Sequence, residues 1–209
     1  MSIAEKLTTI AENERKVFET GKKAEQDYFW EIFQNSGKRT NYAYAFYDCW
    51  NDETFNPKYP IDVGTGTNNT TYAFTYSEIT DTKVEIIAKK TTATMFYNSK
   101  VRIIRKLTVA ETTEFPNNTF YGATELEELT MSGTIAKAFK VSDTTKLSKA
   151  SIKSVFSCLS DTTTELTTTF SKTAVNKAFE TSEGANDGST SAEWNTLVAT
   201  KPNWTISLV

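Results

Sequence analysis

The chain contains no histidine. That removes the commonest general base, the commonest metal-ligating side chain and any Ser-His-Asp triad. Acid–base work would fall to carboxylates, of which there are 26. Glycoside hydrolysis needs two carboxyls about 5–10 Å apart across a cleft, and no motif here selects a pair. Asp187 lies in Ala185-Asn186-Asp187-Gly188. A calcium loop of the EF-hand type needs further oxygen ligands and a Glu at fixed spacing, and those are missing. Gly64-Thr65-Gly66 lacks the further Gly, the Lys and the following helix that would cradle a phosphate, so it reads as a turn. Cys49 and Cys158 form no Cys-x-x-Cys pair. They fit two free, partly buried thiols better than a bridge, though a bridge stays open. No catalytic residue, metal or cofactor is expected from these residues.

Binding chemistry is better represented. Several β-prone runs alternate aliphatic with polar residues, and the outward positions are Glu85, Arg102, Lys106, Thr108, Glu127 and Thr130. This mixture of charge and hydroxyls suits a surface glycan or another protein better than a lipid. Lys89, Lys90, Lys100, Arg102, Arg105 and Lys106 form a local basic group. It reads as a solvated face, or as an attraction for an anionic polymer. Around Tyr42, Tyr47 and Trp50 the chain is crowded with rings. They could stack on the apolar faces of sugars, or they could cap the open end of a repeat stack. Charged residues are 23% of the chain and the net charge is only -3, so no strongly basic face and no nucleic-acid partner are expected.

The elements that position these residues are written as a repeat. Tyr72 to Ile79, Met95 to Val101 and Thr119 to Leu126 each read Phe, two residues, a small residue, then an aliphatic one, and each is followed by a β-prone run. Phe74, Phe96 and Phe120 fall 22 and then 24 residues apart, and Phe46 begins an earlier partial copy. A period in the twenties is the signature of a solenoid, in which one unit buries its apolar residues only against the next. The small residues Cys49, Ser77, Ser99 and Ala123 are expected where the chain turns tightly against its neighbour. The strands should stack as one parallel sheet. The fold class is therefore α/β, a solenoid with a parallel sheet, preceded by a long N-terminal helix.

That helix is predicted over 2–34, with Ser2 and Glu5 as a capping box. Ile3, Leu7, Ile10, Val17, Ala24 and Tyr28 follow a spacing of four and three, which suits either a coiled coil or an amphipathic helix on its own domain. The organisation is a helix over 1–36, an aromatic cap and loop over 37–70, repeats over 71–146 and an α/β cap over 147–209. In the last, Ser148 or Ser151 caps a helix carrying Ile152, Val155 and Phe156. Leu166 to Phe170 is a strand, a short helix lies around Ala174 to Glu180, Ser191 caps a helix carrying Trp194, and Trp204 to Val209 is a final strand.

Phe-x-x-(Cys/Ser/Ala) followed by Leu-x-x-Leu resembles the BspA-type leucine-rich repeat. Phe120 to Leu129 is the clearest copy and Phe96 to Leu107 a looser one. Phe29-Trp30, Gly37 to Tyr42, Tyr44-Ala45-Phe46, Phe55 to Tyr59, Leu147 to Ile152 and Lys201 to Ile206 resemble leucine-rich repeat proteins of phages and prophages of gut Firmicutes. The repeats depart from the pattern in lacking its usual Gly-Cys pair, for which Gly122-Ala123 is the nearest substitute. The resemblance implies a non-enzymatic virion protein that displays its repeats for attachment or protein interaction. A bacterial surface adhesin is the alternative, and a cell-wall or glycan depolymerase a third. The start of the chain has no apolar signal segment, and no run is long enough to span a membrane. The expected course is synthesis in a bacterial cytoplasm and assembly into a virion, without membrane insertion.

Overall fold

The computed structural model describes residues 12, 55, 57, 60–62, 72–116 and 118–209. The chain divides into two units, Met1–Gly37 and Lys38–Val209. In the first, Glu12 is helical. The rest of the expected helix and its seam from Ile3 to Tyr28 lie outside the described residues. So do Phe46, Cys49, the Tyr42, Tyr47 and Trp50 cluster and the Gly64-Thr65-Gly66 loop.

The second unit is mixed α/β with two small parallel sheets. The first contains β1 (Ile61–Asp62), β2 (Glu85–Ala88), β3 (Ile103–Val109) and β4 (Glu128–Gly133), side by side in that order. Ile86, Leu107 and Met131 stand in register across β2, β3 and β4 and are buried, while their neighbours along each strand point outward. Ile104 and Leu107 are three residues apart yet both buried. The register shifts between them, and an extra residue in one strand restores the inward phase.

Each turn ahead of a strand is built alike. The N–H groups of Ser77, Ser99 and Ala123 donate to the carbonyls of Phe74, Phe96 and Phe120. All three small residues are buried, as their spacing predicts. The residue just before them, Tyr76, Asn98 or Gly122, is left-handed, with φ of 55°, 48° and 68°. Asn and Gly accept that conformation at little cost. Successive turns are laced together: Phe74 N–H donates to the Met95 carbonyl and Phe96 N–H to that of Thr119. The rings of Phe74, Phe96 and Phe120 are fully buried and stack at 5.4 and 5.3 Å, with planes 15° and 13° apart.

Threonine has a specific part in these turns. Many of its side chains are buried between neighbouring turns, where the hydroxyl satisfies another turn's backbone. Thr113 donates to the Ala88 carbonyl, Thr92 to that of Glu114, and Thr82 accepts from the Arg105 N–H. A short side chain that brings its own hydroxyl removes the penalty of an orphaned buried carbonyl, which is about 1–3 kcal/mol.

Beside β4 the strand pattern ends and helix α1 (Lys149–Cys158) takes the place of a fifth strand. The β4 N–H groups of Leu129 and Met131 donate to the hydroxyls of Ser151 and Ser154, at 2.8 and 2.7 Å. Serines three apart on one helix face thus do for β4 what a neighbouring strand's carbonyls would do.

The second sheet holds β5 (Phe139–Val141), β6 (Leu166–Phe170) and β7 (Trp204–Leu208), all parallel. Helix α1 lies between β5 and β6, and helices α2 (Lys172–Ala178) and α3 (Ala192–Ala199), with a 3₁₀ turn at Gly188–Thr190, lie between β6 and β7. Ser148, Ser171 and Ser191 cap α1, α2 and α3. Phe156 and Phe170 stack at 5.5 Å, and Trp194 packs edge-on against both. β5 has no counterpart in the sequence reading, because three residues are too few to show alternation. Among the described residues no helix is long and apolar enough to cross a membrane.

Candidate binding surface

Five of the six outward residues expected to bind a partner are joined to one another from one strand to the next. Arg102, just ahead of β3, donates from its guanidinium to both carboxylate oxygens of Glu127, just ahead of β4, with Nη2 3.0 Å from Oε2. Glu85 on β2 accepts from the Thr108 hydroxyl and pairs with Lys106 Nζ at 3.1 Å, both on β3. Thr130 on β4 is exposed. The sequence reading missed two further rungs, Arg105 to Asp81 at 2.6 Å and Lys146 to Glu125 at 2.6 Å. The repeat period was the available signal, since each partner lies 21 to 25 residues away. Of the local basic group, Arg102, Arg105 and Lys106 are thus paired with carboxylates, which favours the solvated-face reading.

These pairs set the carboxylates' protonation. Burial pushes Asp81 up, but hydrogen bonds from the Arg105 guanidinium and the Lys83 N–H outweigh it and hold the group below its ordinary value. The Thr108 hydroxyl, then Lys106, lower Glu85. Lys146 lowers Glu125, and Lys153 with Lys149 lowers Glu193. A carboxyl whose folded pKa is depressed stabilises the fold above its unfolded pKa, and that stability is lost as pH falls through the folded value. The melting temperature is therefore expected to hold between about pH 7 and 5 and to fall progressively below about pH 4.5. Thermal melts across that range check it, and a rise on acidification would contradict the pairing.

A second feature was not expected. Tyr76, Tyr97 and Tyr121 form a column on the outside of the turns, with Tyr76 and Tyr121 43% and 51% exposed. The signal was present for two of them, since Tyr97 and Tyr121 each follow a repeat Phe directly. Tyr76 sits one place later and joins the column from a left-handed backbone.

An open depression of about 540 Å³ lies at the start of β4, lined by Glu127, Glu128, Thr145, Lys146, Ser148 and Lys177 among others. Glu127, Lys146 and Lys177 are engaged with Arg102, Glu125 and Glu180. The Asp187 carboxylate accepts from the N–H and hydroxyl of Thr181, which staples its loop. Cys158 is free and buried, and burial pushes its thiol up, so it is a poor nucleophile. Among the described residues no three acidic or thiol side chains converge as a metal-holding group.

Compared with models of protein families, with curated proteins and with solved structures, the chain matches none.

Proposed function

We propose that the chain is a leucine-rich-repeat solenoid whose work is display: a non-enzymatic structural component of a phage virion that presents consecutive coils to a partner for attachment. One observation carries this reading. Parallel strands in register and laced turns set like positions of successive coils side by side, so one surface is repeated along the stack. Such a surface suits extended contact with a polar partner. The partner is a host surface glycan or a protein, met by the ridge that carries Glu85, Arg102, Lys106, Thr108, Glu127 and Thr130. The N-terminal segment would supply anchoring or self-association through Ile3, Leu7, Ile10, Val17, Ala24 and Tyr28, with a trimer favoured. The virion setting comes from the resemblance of the repeats and flanking segments to phage-encoded proteins.

Mass spectrometry of purified virions from a producing strain tests the setting. Peptides of this chain at the copy number of a structural component are expected. Recovery from the bacterial surface with none in virions would overturn the virion reading and support an adhesin.

A further inference from the structure

The tyrosine column ends one coil before the turns do. Tyr76 meets Tyr97 edge-on at 5.7 Å, and Tyr97 lies nearly parallel to Tyr121, 5.3 Å away with planes 16° apart. The next turn repeats the same hydrogen bonds. Thr144 N–H donates to the Val141 carbonyl as Ala123 N–H does to that of Phe120, and Leu147 N–H donates to Thr144 as Leu126 N–H does to Ala123. Val141 therefore stands at the place of Phe120, and Ser142 at the place of Tyr121. Where a fourth ring would continue the column there is a hydroxymethyl group. This accounts for the high exposure of Tyr121, the last ring.

The polar groups at this step are rearranged as well. In earlier turns the left-handed residue donates to the carbonyl one coil on, Tyr76 to Tyr97 and Asn98 to Tyr121. Gly122 N–H instead donates to the side chain of Asp143, at 2.9 Å from Oδ2. The Ser142 hydroxyl donates to Asp143 Oδ1, also at 2.9 Å. A carboxylate and a hydroxyl therefore stand beside an exposed aromatic ring. Each carboxylate oxygen keeps a lone pair after accepting one hydrogen bond.

We propose that this step binds one pyranose ring of a glycan, with the sugar's C–H face on Tyr121 and its hydroxyls on Ser142 and Asp143. The dimensions agree, because a six-membered ring laid on Tyr121 continues a column already spaced at 5.3 Å. The chemistry agrees too. A polyhydroxylated ring brings donors for the carboxylate and an apolar face for the aromatic ring. A proline-rich peptide would stack on the tyrosine but bring no donor from its prolines to Asp143. Tyrosine contributes contact area at low conformational cost. The carboxylate and the net charge of -3 favour a neutral or amino sugar over an anionic one. The proposal deepens the attachment reading by naming a ligand class and a site. Virion proteomics and glycan binding are separate measurements, so either can fail alone.

The test is calorimetric titration of the full chain with glucose and N-acetylglucosamine tetrasaccharides as probes. At least one should bind. Tyr121→Ala should weaken it by about tenfold or more, equal to about 1.4 kcal/mol, while Tyr121→Phe keeps it. Ser142→Tyr extends the column over the platform and should block binding in a protein that melts like the native one. Failure of both tetrasaccharides to bind the native chain overturns the proposal. Undiminished binding by Tyr121→Ala or Ser142→Tyr does so too, as does capture of a proline-rich peptide in place of sugar.

Discussion

Phe96→Ala should destabilise the second unit by about 3–5 kcal/mol, the usual cost of removing a buried ring. Phe96 is the middle ring of three and its side chain is fully buried, in contact with Phe74 on one side and Phe120 on the other. Removing it strips a stacking partner from two neighbouring turns at once. The cavity cannot collapse easily, because the turn around it is held by backbone bonds to both neighbours, from Phe74 N–H to Met95 and from Phe96 N–H to Thr119. For a domain of this size the loss corresponds to a fall in melting temperature of about 6–20 °C. Urea denaturation measures it directly. Tyr97→Ala, one residue on, removes a ring of similar size from the outside of the same turn and serves as the control. If the two variants melt alike, the phenylalanine stack is not what joins the turns.

Much of this was legible in residue spacing. The Phe and its small partner three places on mark each turn, because a buried ring and a tight chain reversal both have steric requirements that few residues meet. Ser148 and Ser191 announce their helices through a hydroxyl that the first turn's N–H groups need. Other features depend on contacts with residues more than twenty positions away and leave no local trace. Arg102 with Glu127 and Arg105 with Asp81 are such pairs. So is the use of α1 as a neighbour to β4, which rests on Ser151 and Ser154 meeting N–H groups 22 and 23 residues back. From its place in the sequence Ser151 is a possible cap, whereas its hydroxyl also satisfies the strand. The end of the tyrosine column was hidden for a related reason. Val141 has no aromatic ring, so the turn from Val141 to Thr144 does not read as a copy of Phe120 to Ala123 until its hydrogen bonds are seen.

Among the described residues, the three glycines with positive φ should respond to alanine in a graded order, with Gly133→Ala the worst. At Gly184 a Cβ would meet nothing within 4 Å, so the substitution carries only the strain of a left-handed backbone at φ 76°, about 1–2 kcal/mol. At Gly122 the Cβ would fall 1.9 Å from Asn98 Oδ1. That atom ends a side chain that can rotate, so the added cost is limited to what Asn98 loses by moving. At Gly133, φ is 96° and the Cβ would lie 1.9 Å from the Val109 carbonyl oxygen and 3.0 Å from its carbon. Those are backbone atoms of β3. Val109 is in register with Ala88 on one side and Gly133 on the other, so it cannot retreat without disturbing β2 or parting from β4. Strain and overpacking together should cost about 2–5 kcal/mol. Equilibrium unfolding of the three variants gives the order, and hydrogen exchange should show the loss concentrated where β3 meets the end of β4. Were Gly133→Ala no more harmful than Gly184→Ala, β3 and β4 could not be packed as closely at Val109 and Gly133 as their register requires.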